Sequence, residues 1–218
     1  MTDVEYQRLQ PDQEQEAIHF FYDTFVRDEG QLVSVGAGSN AKVSQFMEHM
    51  LGQGVSLVAR KEGVMVGQLL SEVHRREGVS QEPPPSYPAL LAQYQDPAWA
   101  RFLHLGASRV LWPRDLFSES PSLGSVLDLG FLSVAREWRG RGVAGQLVRR
   151  GEGLARELGC QGMVMIAATT ATCRIAEKMG MVKWRECRWQ DYRDEEDVQV
   201  FNVPDEKGDR LISFVKFF

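Results

Sequence analysis

Residues 127–144 decide the fold and read LDLGFLSVAREWRGRGVA. The first half of this stretch is an almost continuous apolar run, interrupted by Asp128 and Gly130, which is typical of a central β-strand. A glycine inside such a strand indicates a bulge or the close approach of another backbone. An arginine- and glycine-rich turn follows, and apolar residues then recur at helical spacing. The stretch therefore predicts a strand, a tight turn and a helix.

The turn itself reads Arg139-Gly140-Arg141-Gly142-Val143-Ala144. A glycine-rich turn from a strand into a helix exposes backbone N–H groups at the helix N-terminus, where the helix dipole favours a negative charge. Two arginines add positive charge, so a diphosphate is the expected ligand. On spacing alone, the alternative is that the turn only reverses the direction of the chain. The dinucleotide-binding fingerprint is not satisfied, because its second and third glycines are misplaced. The phosphate-binding loop (P-loop) of nucleoside triphosphatases is also excluded, since its Gly-Lys-Ser/Thr ending is absent.

The surrounding elements predict an α/β fold with a mixed sheet. Before the stretch we expect a short strand at residues 6–9 and two amphipathic helices at residues 11–30 and 43–51. An antiparallel hairpin of residues 55–60 and 64–73 and a third helix at residues 96–111 follow. After it we expect a helix at residues 143–158, a buried strand at residues 162–168 and a short helix at residues 172–179. Residues 183–192 and 210–218 are expected to form an antiparallel pair of strands. Residues 75–88 are predicted to form a long loop and residues 112–125 to be irregular, with Gly30 as a left-handed helix stop. The strand–helix–strand unit implies one parallel crossover in an otherwise antiparallel sheet, where a ligand finds a gap.

The composition of the 218 residues predicts one globular domain spanning residues 1–218. Apolar residues make up 43% and charged residues 25% of the chain, which argues against disorder. No apolar run approaches the length of about 20 residues that spans a bilayer, and no signal segment opens the chain. The net charge of −5 argues against a nucleic-acid partner, because phosphate binding needs a basic face. Cys160, Cys173 and Cys187 are scattered, which favours reduced thiols in the cytoplasm over a disulfide or metal framework.

Two segments resemble the GNAT superfamily of N-acetyltransferases. The run FLSV at residues 131–134, followed by EWRGRGVAGQL at residues 137–147, resembles its acetyl-CoA signature. The superfamily pattern is Arg or Gln, two residues, Gly, one residue, then Gly or Ala, and it is met by Arg139, Gly142 and Ala144. The stretch TCRIAEKMGM at residues 172–181 resembles the helix that follows the fifth strand of that fold. With the element order, the resemblance covers essentially the whole chain and implies a mostly antiparallel sheet with one parallel crossover, flanked by helices.

The resemblance also implies where acetyl-CoA, the acyl donor, would bind, and it implies no metal. Main-chain groups of Leu132 and Val134, with Ser133 between them, would align the pantetheine arm like an added strand. Core packing of the Leu132 and Val134 side chains is compatible with this, because the ligand would use only their main chain. The amides of the turn would hold the pyrophosphate, and its residues are Arg139, Gly140, Arg141, Gly142, Val143 and Ala144.

A narrower resemblance points to the insect-type arylalkylamine N-acetyltransferases. The run TFVRDE at residues 24–29, after an amphipathic helix, is similar to theirs, and so is EKMGM at residues 177–181. The family's equivalent of Glu29 is the proposed general base and is usually followed by proline, whereas Gly30 stands here. The resemblance implies a catalytic Glu29, with a solvated acid at a helix end as the alternative. Tyr22 and Phe25 would line the amine side together with Glu29, or belong to the core.

Amine acetylation needs the groups that the resemblance supplies. A primary ammonium must lose a proton before it attacks a thioester carbonyl, and a carboxylate such as Glu29 would accept that proton once its pKa is raised. The N–H near Val134 would donate to the carbonyl oxygen. Thr172 stands where the insect-type family has a functionally implicated serine, so its hydroxyl would reach the departing sulfur; helix N-capping is the alternative. Cys173 has no evident base partner, which argues against an acetyl-cysteine intermediate.

The four histidines do not offer a better base. His104 falls on a predicted helix face, and His19, His49 and His74 are isolated in the sequence. Each is therefore interpreted as a structural or surface residue. None forms the closely spaced pair of the vertebrate arylalkylamine enzymes. The acidic run at residues 191–197 is interpreted as a solvated loop that would attract a polyamine.

We therefore predict a monomeric cytoplasmic enzyme that acetylates a small primary amine by direct transfer from acetyl-CoA in a ternary complex. An arylalkylamine such as dopamine, serotonin or tyramine is the first candidate substrate, and a polyamine or agmatine is the second. Two alternatives of other kinds stay open, namely a non-catalytic CoA-binding module and a protein lysine acetyltransferase. No nucleic acid, membrane or metal is expected as a partner.

Overall fold

The computed structural model describes residues 4–79, 82–111, 113–194, 196–204 and 208–218. Within them, one mixed sheet contains seven strands: β1 (Glu5–Arg8), β2 (Leu57–Lys61), β3 (Val64–Arg75), β4 (Ser125–Val134), β5 (Gly162–Ala167), β6 (Val182–Arg188) and β7 (Arg210–Phe217). Their spatial order is β1-β2-β3-β4-β5-β7-β6. Neighbouring strands are antiparallel except β4 and β5, which are parallel. The predicted mixed sheet with one parallel pair is confirmed.

Eight α-helices of the described residues flank this sheet: α1 (Glu14–Phe20), α2 (Gly30–Ser34), α3 (Ala41–Leu51), α4 (Tyr87–Tyr94), α5 (Pro97–Leu105), α6 (Pro113–Glu119), α7 (Val143–Glu157) and α8 (Thr170–Lys178). Two π-helical turns, Phe21–Val26 and Gly106–Val110, continue α1 and α5. One apolar core lies between the sheet and α7 with α8, and a second joins the sheet to α1 through α5. No helix in the described part of the chain combines the length and apolar character that crossing a bilayer requires.

Caps and apolar spacing explain the helices that position the site. Asn40 Oδ1 accepts hydrogen bonds from the N–H groups of Lys42 and Val43 at 2.9 and 3.1 Å, which begins α3. Asp96 caps α5 in the same way, as its position before Pro97 predicts. The buried face of α7 recurs at helical spacing, and its members are Val143, Leu147, Val148, Gly151, Leu154 and Ala155.

The parallel strands β4 and β5 stay paired over a short distance. Their ladder joins Leu127 to Met163 and Asp128 to Val164. Along the described residues that follow, β4 continues to Val134 and β5 to Ala167 without further pairing between them. The edge of β4 that faces β5 is therefore open beyond Asp128, which confirms the gap expected beside the parallel crossover.

The structure differs from three sequence-based expectations. Residues 112–125, predicted to be irregular, contain α6, because Leu116 and Phe117 bury their side chains in an apolar cluster and this packing outweighs a weak local signal. Trp112 lies outside the described residues. Tyr87 begins α4 within the stretch predicted as a loop. Gly30 is not a left-handed stop, since it is buried at the start of α2 and has no positive φ.

Candidate active site

A short 3₁₀ turn, Arg136–Trp138, follows β4, and the glycine-rich turn then leads into α7. Gly140 and Gly142 have φ angles of +73° and +84°, which residues with a Cβ avoid. Gly142 is the N-cap residue of α7 and supplies no side-chain cap. A Cβ at either glycine would meet open space. The N-terminal amides of α7 therefore border an open region, and the helix dipole there favours an anion.

The predicted CoA-binding residues of this turn differ in exposure. The exposed ones are Arg139, Gly140, Arg141 and Gly142. Ala144 is half-buried, and Val143 belongs to the core. The Val143 side chain uses the space that Gly67 of β3 leaves free, because a Cβ at Gly67 would lie 3.0 Å from Val143 Cγ1. This packing holds the start of α7 against the sheet.

Two arginines beside the turn bind Asp28, which immediately precedes Glu29. Arg139 Nη2 and Arg136 Nη2 donate to different oxygens of the Asp28 carboxylate at 2.5 and 3.0 Å. Arg139 Nε also donates to the main-chain carbonyl of Val134 at 3.0 Å. Burial would raise the pKa of Asp28, but the hydrogen bonds and charges of the two arginines outweigh burial and lower that pKa. The segment that carries Glu29 is thereby joined to the end of β4.

A β-bulge lies beside the gap between β4 and β5. The register of β3 against β4 shifts between Leu70 and Glu72. Across from this shift, a Cβ at Gly130 would lie 3.3 Å from the Leu70 carbonyl oxygen and 3.7 Å from Met50 Cε. The prediction that Gly130 marks a bulge or a close backbone approach is confirmed.

A cavity of about 310 Å³ extends from the gap towards α2, α3, α5 and α8. Its wall is mostly apolar, with aromatic members Phe25, Phe46, Phe102 and Phe131. Its titratable members are Glu29, Glu72, His74 and Asp128. An apolar pocket with a few convergent polar groups is the usual form of a small-molecule site.

Phe25, Glu29, Leu132 and Thr172 are the sequence-predicted site residues that line this cavity. The Phe25 ring contacts the Phe131 ring edge-on at 5.1 Å. One turn later, the N–H of Glu29 donates to the carbonyl of Phe25 at 2.8 Å, and Glu29 is half-buried at the N-cap of α2. A π-helical turn is frequent at functional sites, and here it carries Phe25 to the same wall as Glu29.

Other predicted residues lie outside the cavity wall. Ser133 and Val134 are buried in β4, so a contact with CoA would use their main chain. Tyr22, predicted to line the amine side or to belong to the core, is half-buried and packs against the core formed with α1 through α5. Its hydroxyl lies 3.0 Å from the carbonyl of Asn40 and 3.1 Å from Ser44 Oγ. Tyr22 therefore fixes the π-helical turn to the start of α3.

Thr172 has a defined structural role at the start of α8. Thr169 is the N-cap residue, and its Oγ1 accepts a hydrogen bond from the N–H of Thr172 at 3.2 Å. In return, Thr172 Oγ1 accepts from the N–H of Thr169 at 3.1 Å and donates to the Thr169 carbonyl at 2.9 Å. The alternative of helix capping is confirmed in the form of a reciprocal capping box.

Glu72, His74 and Asp128 form a cluster that the sequence analysis missed. His74 Nε2 lies 3.3 Å from Asp128 Oδ2 and 3.4 Å from Glu72 Oε1. Glu72 and His74 are two residues apart on β3, so their side chains point to the same face of the sheet. Asp128 on β4 is the cross-strand partner of Glu72. His74, which is isolated in the sequence, therefore has two carboxylate partners in the fold. One donor atom from each residue lies within 4.8 Å of the others, a spacing that could also hold a metal ion.

Mutual charges shift the pKa values in this cluster. Burial lowers the pKa of His74, but the hydrogen bond and charge of Asp128 and the charge of Glu72 outweigh burial and raise it. Burial raises the pKa of Glu72, and the charge of Asp128 adds to that effect, against the opposing charges of His74 and His49. Glu72 and His74 therefore retain their protons more strongly than isolated side chains of the same type would.

Cys173 and His104 do not provide an alternative nucleophile or base in the cavity wall. Burial and the charge of Glu177 raise the pKa of the Cys173 thiol, which keeps it protonated at neutral pH. His104 Nδ1 lies 2.5 Å from the hydroxyl of Tyr192. A protonated thiol is a poor nucleophile, which argues against Cys173 as an acetyl carrier.

Comparison with known proteins identifies the family. A model of the acetyltransferase (GNAT) family matches residues 3–181. The chain belongs to the GNAT acetyltransferase family. It is therefore an acyltransferase, and the use of acetyl-CoA is a property of this family.

Solved structures of other acetyltransferases share this fold. Arylalkylamine N-acetyltransferase 2 from Aedes aegypti has a TM-score of 0.85 at 21% identity, over 99% of each chain. The polyamine N-acetyltransferase of Drosophila melanogaster, which forms N-acetylagmatine, has a TM-score of 0.80 at 19% identity, over 99% of this chain and 100% of that one. NAA60 of Arabidopsis thaliana, solved with a bisubstrate analogue, has a TM-score of 0.55 at 13% identity, over 98% and 97%. Identities this low establish a common fold and nothing finer.

The acidic cluster of this GNAT acetyltransferase left a weak signal in its sequence. Glu72 and His74 stand two residues apart in an apolar strand, and Asp128 interrupts the apolar run of another strand. Polar residues at strand positions that would otherwise be buried indicate a shared polar site, provided that the two strands are known to be neighbours. That pairing is visible only in the folded sheet.

Proposed function

We propose that this acetyltransferase moves the acetyl group of acetyl-CoA onto a small primary amine, directly within a ternary complex. The observation that carries the proposal is a cavity beside the open edge of β4, lined by Glu29 and by aromatic side chains. The diphosphate would bind the N-terminal amides of α7. The pantetheine arm would lie along Leu132 and Val134 as an added strand. Acetyl-CoA supplies the acetyl group as a thioester.

Glu29 is the proposed general base. Its carboxylate would bind the ammonium group of the substrate and accept one proton, which frees the nitrogen lone pair for attack. A positioned base of this kind contributes about 10²–10⁴-fold to a rate. The backbone N–H near Val134 would stabilise negative charge on the carbonyl oxygen.

Thr172 is the proposed partner of the departing sulfur. Its hydroxyl proton is already shared with the carbonyl of Thr169 at 2.9 Å, so a contact with sulfur would compete with the helix cap. We therefore expect a smaller contribution from Thr172 than from Glu29.

The cavity wall favours an arylalkylamine as the first candidate substrate. Phe25 and Phe131 offer aromatic faces and edges for a ring, and aromatic faces also attract an ammonium group. A polyamine or agmatine is the second candidate, favoured by Glu72 and Asp128, which add negative charge to the same cavity. Solved acetyltransferases of the same fold include one described as an arylalkylamine enzyme and one as a polyamine enzyme.

Product formation from a panel of amines tests the proposal. Tyramine, dopamine, serotonin, agmatine, 1,4-diaminobutane and a lysine-containing peptide are each incubated with acetyl-CoA, and N-acetylated products are measured by mass spectrometry. We expect products from free amines and none from the peptide. A product from the peptide alone would indicate a protein lysine acetyltransferase. Binding of acetyl-CoA without any product would indicate a non-catalytic module.

A further inference from the structure

The cluster of Glu72, His74 and Asp128 stands where the two parallel strands separate. Asp128 is the last residue of β4 that pairs with β5. It is 8% exposed, and its Oδ1 is buried without a hydrogen-bond partner among the described residues. An unmet buried acceptor is uncommon in native proteins, because it costs free energy unless a water or a ligand donates to it. The cluster therefore contains a buried acceptor that calls for a donor.

The charge of the cavity also favours a donor, and most of all a cationic one. His74 Nε2 lies between the carboxylates of Asp128 and Glu72, so a single imidazolium can balance only one of the two negative charges. None of the described residues that line the cavity is Lys or Arg. Neutralisation of the remaining charge depends on a proton or on a ligand.

The cluster and the aromatic pair of Phe25 and Phe131 lie at different positions along β4. Phe131, whose ring contacts Phe25 next to Glu29, follows Asp128 by three residues on β4. An extended strand rises about 3.3 Å per residue, which corresponds to about 10 Å along the sheet. Leu132, the proposed neighbour of the pantetheine arm, is one residue further. Asp128 and Phe131 thus lie at different positions along one cavity wall.

We infer that Glu72, His74 and Asp128 form a subsite for a hydrogen-bond donor at the far end of the amine substrate. The donor is either a phenolic hydroxyl or a second protonated nitrogen, and the ring or methylene chain between the two ends would lie along Phe25 and Phe131. This inference rests on the proposed amine acetylation and extends it, since it makes the distal polar group a determinant of specificity. Asp128 Oδ1 accepts the hydrogen bond from that group, and His74 holds the Asp128 carboxylate in place through Oδ2.

Matched pairs of amines test the subsite. Phenethylamine and tyramine differ by one phenolic hydroxyl, and butylamine and 1,4-diaminobutane differ by one ammonium group. We expect the wild-type protein to prefer the donor-bearing member of at least one pair by about tenfold or more in kcat/KM, as for a hydrogen bond to a charged group. The pair that shows the preference identifies the donor.

Two substitutions connect this preference to the cluster. Asp128→Asn and Glu72→Gln keep the side-chain shape and remove a charge, and Glu48→Gln removes an exposed acid from α3 as the matched control. We expect each cluster variant to reduce the preference to less than about threefold, because the donor-bearing member of a pair loses more activity than the other member. Glu48→Gln should keep the wild-type preference. Melting temperatures report folding, and Glu72→Gln carries the test if Asp128→Asn does not fold.

Several results would overturn the inference. Equal kcat/KM values within both pairs for the wild type would do so, as would a preference that survives both cluster substitutions. Equal loss for both members of a pair would show that the cluster acts on the reacting amine instead. Activity that EDTA removes and Zn²⁺ restores would assign the cluster to a metal. If none of the four amines is acetylated, the proposed function fails and the subsite fails with it, which is a different result from acetylation without discrimination.

Discussion

Arg139 donates from Nη2 to Asp28 Oδ2 at 2.5 Å and from Nε to the carbonyl of Val134 at 3.0 Å. One side chain thus joins the end of β4 to the residue that precedes Glu29. CoA and the amine are proposed to bind on these two segments. The ion pair therefore connects the proposed cofactor site to the proposed base.

Asp28→Asn should lower the free energy of unfolding by about 1 kcal/mol at neutral pH, because a partly exposed ion pair contributes about that much. The folded-state pKa of Asp28 is lowered. Its contribution is therefore present above the ordinary pKa of about 4 and is lost as pH falls through the lower folded value. Urea unfolding at several pH values, with the exposed Asp12→Asn as control, checks this. A difference that stays the same into strong acid would contradict it.

Gly142→Ala should weaken acetyl-CoA binding and destabilise the fold by about 1–2 kcal/mol, because its φ of +84° is unfavourable for a residue with a Cβ. Gly145→Ala, within α7 and with open space around its Cβ position, is the matched control and should stabilise the helix by up to about 1 kcal/mol. Calorimetry with acetyl-CoA and thermal melting measure both effects. The expectation fails if the two variants behave alike.

Gly151 of α7 packs closely on the sheet. A Cβ there would lie 3.0 Å from Leu129 Cδ2 and 3.1 Å from Leu69 Cδ2, so Gly151→Val should destabilise by about 1–3 kcal/mol. Gly153→Val, on the same helix with open space at its Cβ position, should change stability by less than about 0.5 kcal/mol. Denaturant midpoints of the two variants distinguish these outcomes. Equal losses would show that helix propensity, and not contact with the sheet, sets the cost.

His74 should titrate above its ordinary pKa of about 6.5, because Asp128 and Glu72 favour the imidazolium. In Asp128→Asn, His74 loses its hydrogen bond to a carboxylate, whereas its burial, which disfavours the imidazolium, is unchanged. The pKa of His74 should therefore fall. A raised folded pKa means that the stability His74 contributes is complete below about pH 6.5 and is lost as pH rises through the folded value. NMR titration of the imidazole resonances measures the shift. A pKa of His74 that does not fall in Asp128→Asn would contradict the assignment.

Much of the fold could be predicted from local sequence. The apolar run before Arg139 and the glycines after it define β4, the turn and α7 because each signal acts over a few residues. Asp96 and Pro97 mark the start of α5 for the same reason. α6 was missed because Leu116 and Phe117 become informative only when the strands they cover are in place.

The same distinction between local signals and contacts made only by folding applies to the candidate site. Glu29 and the residues of the turn could be named from motifs, because each motif is contiguous in the chain. The cluster of Glu72, His74 and Asp128 could not, because its members come together only through the register of β3 against β4. Tyr22 and Phe25 could not be told apart from the sequence, because only the folded π-helical turn brings Phe25 to the cavity wall and the Tyr22 hydroxyl to Asn40.

Acetylation of a free amine in the cavity beside β4, with Glu29 as the base, is the reaction that we propose. Its most direct test is the initial rate of N-acetyltyramine and N-acetyl-1,4-diaminobutane formation from acetyl-CoA by the wild-type protein and by Glu29→Gln, between about pH 6 and pH 9. We predict product from the wild type and a rate lower by about 10²-fold or more in Glu29→Gln. A wild-type protein that binds acetyl-CoA but yields neither product, or a Glu29→Gln variant that keeps the full rate over this range, would contradict the claim.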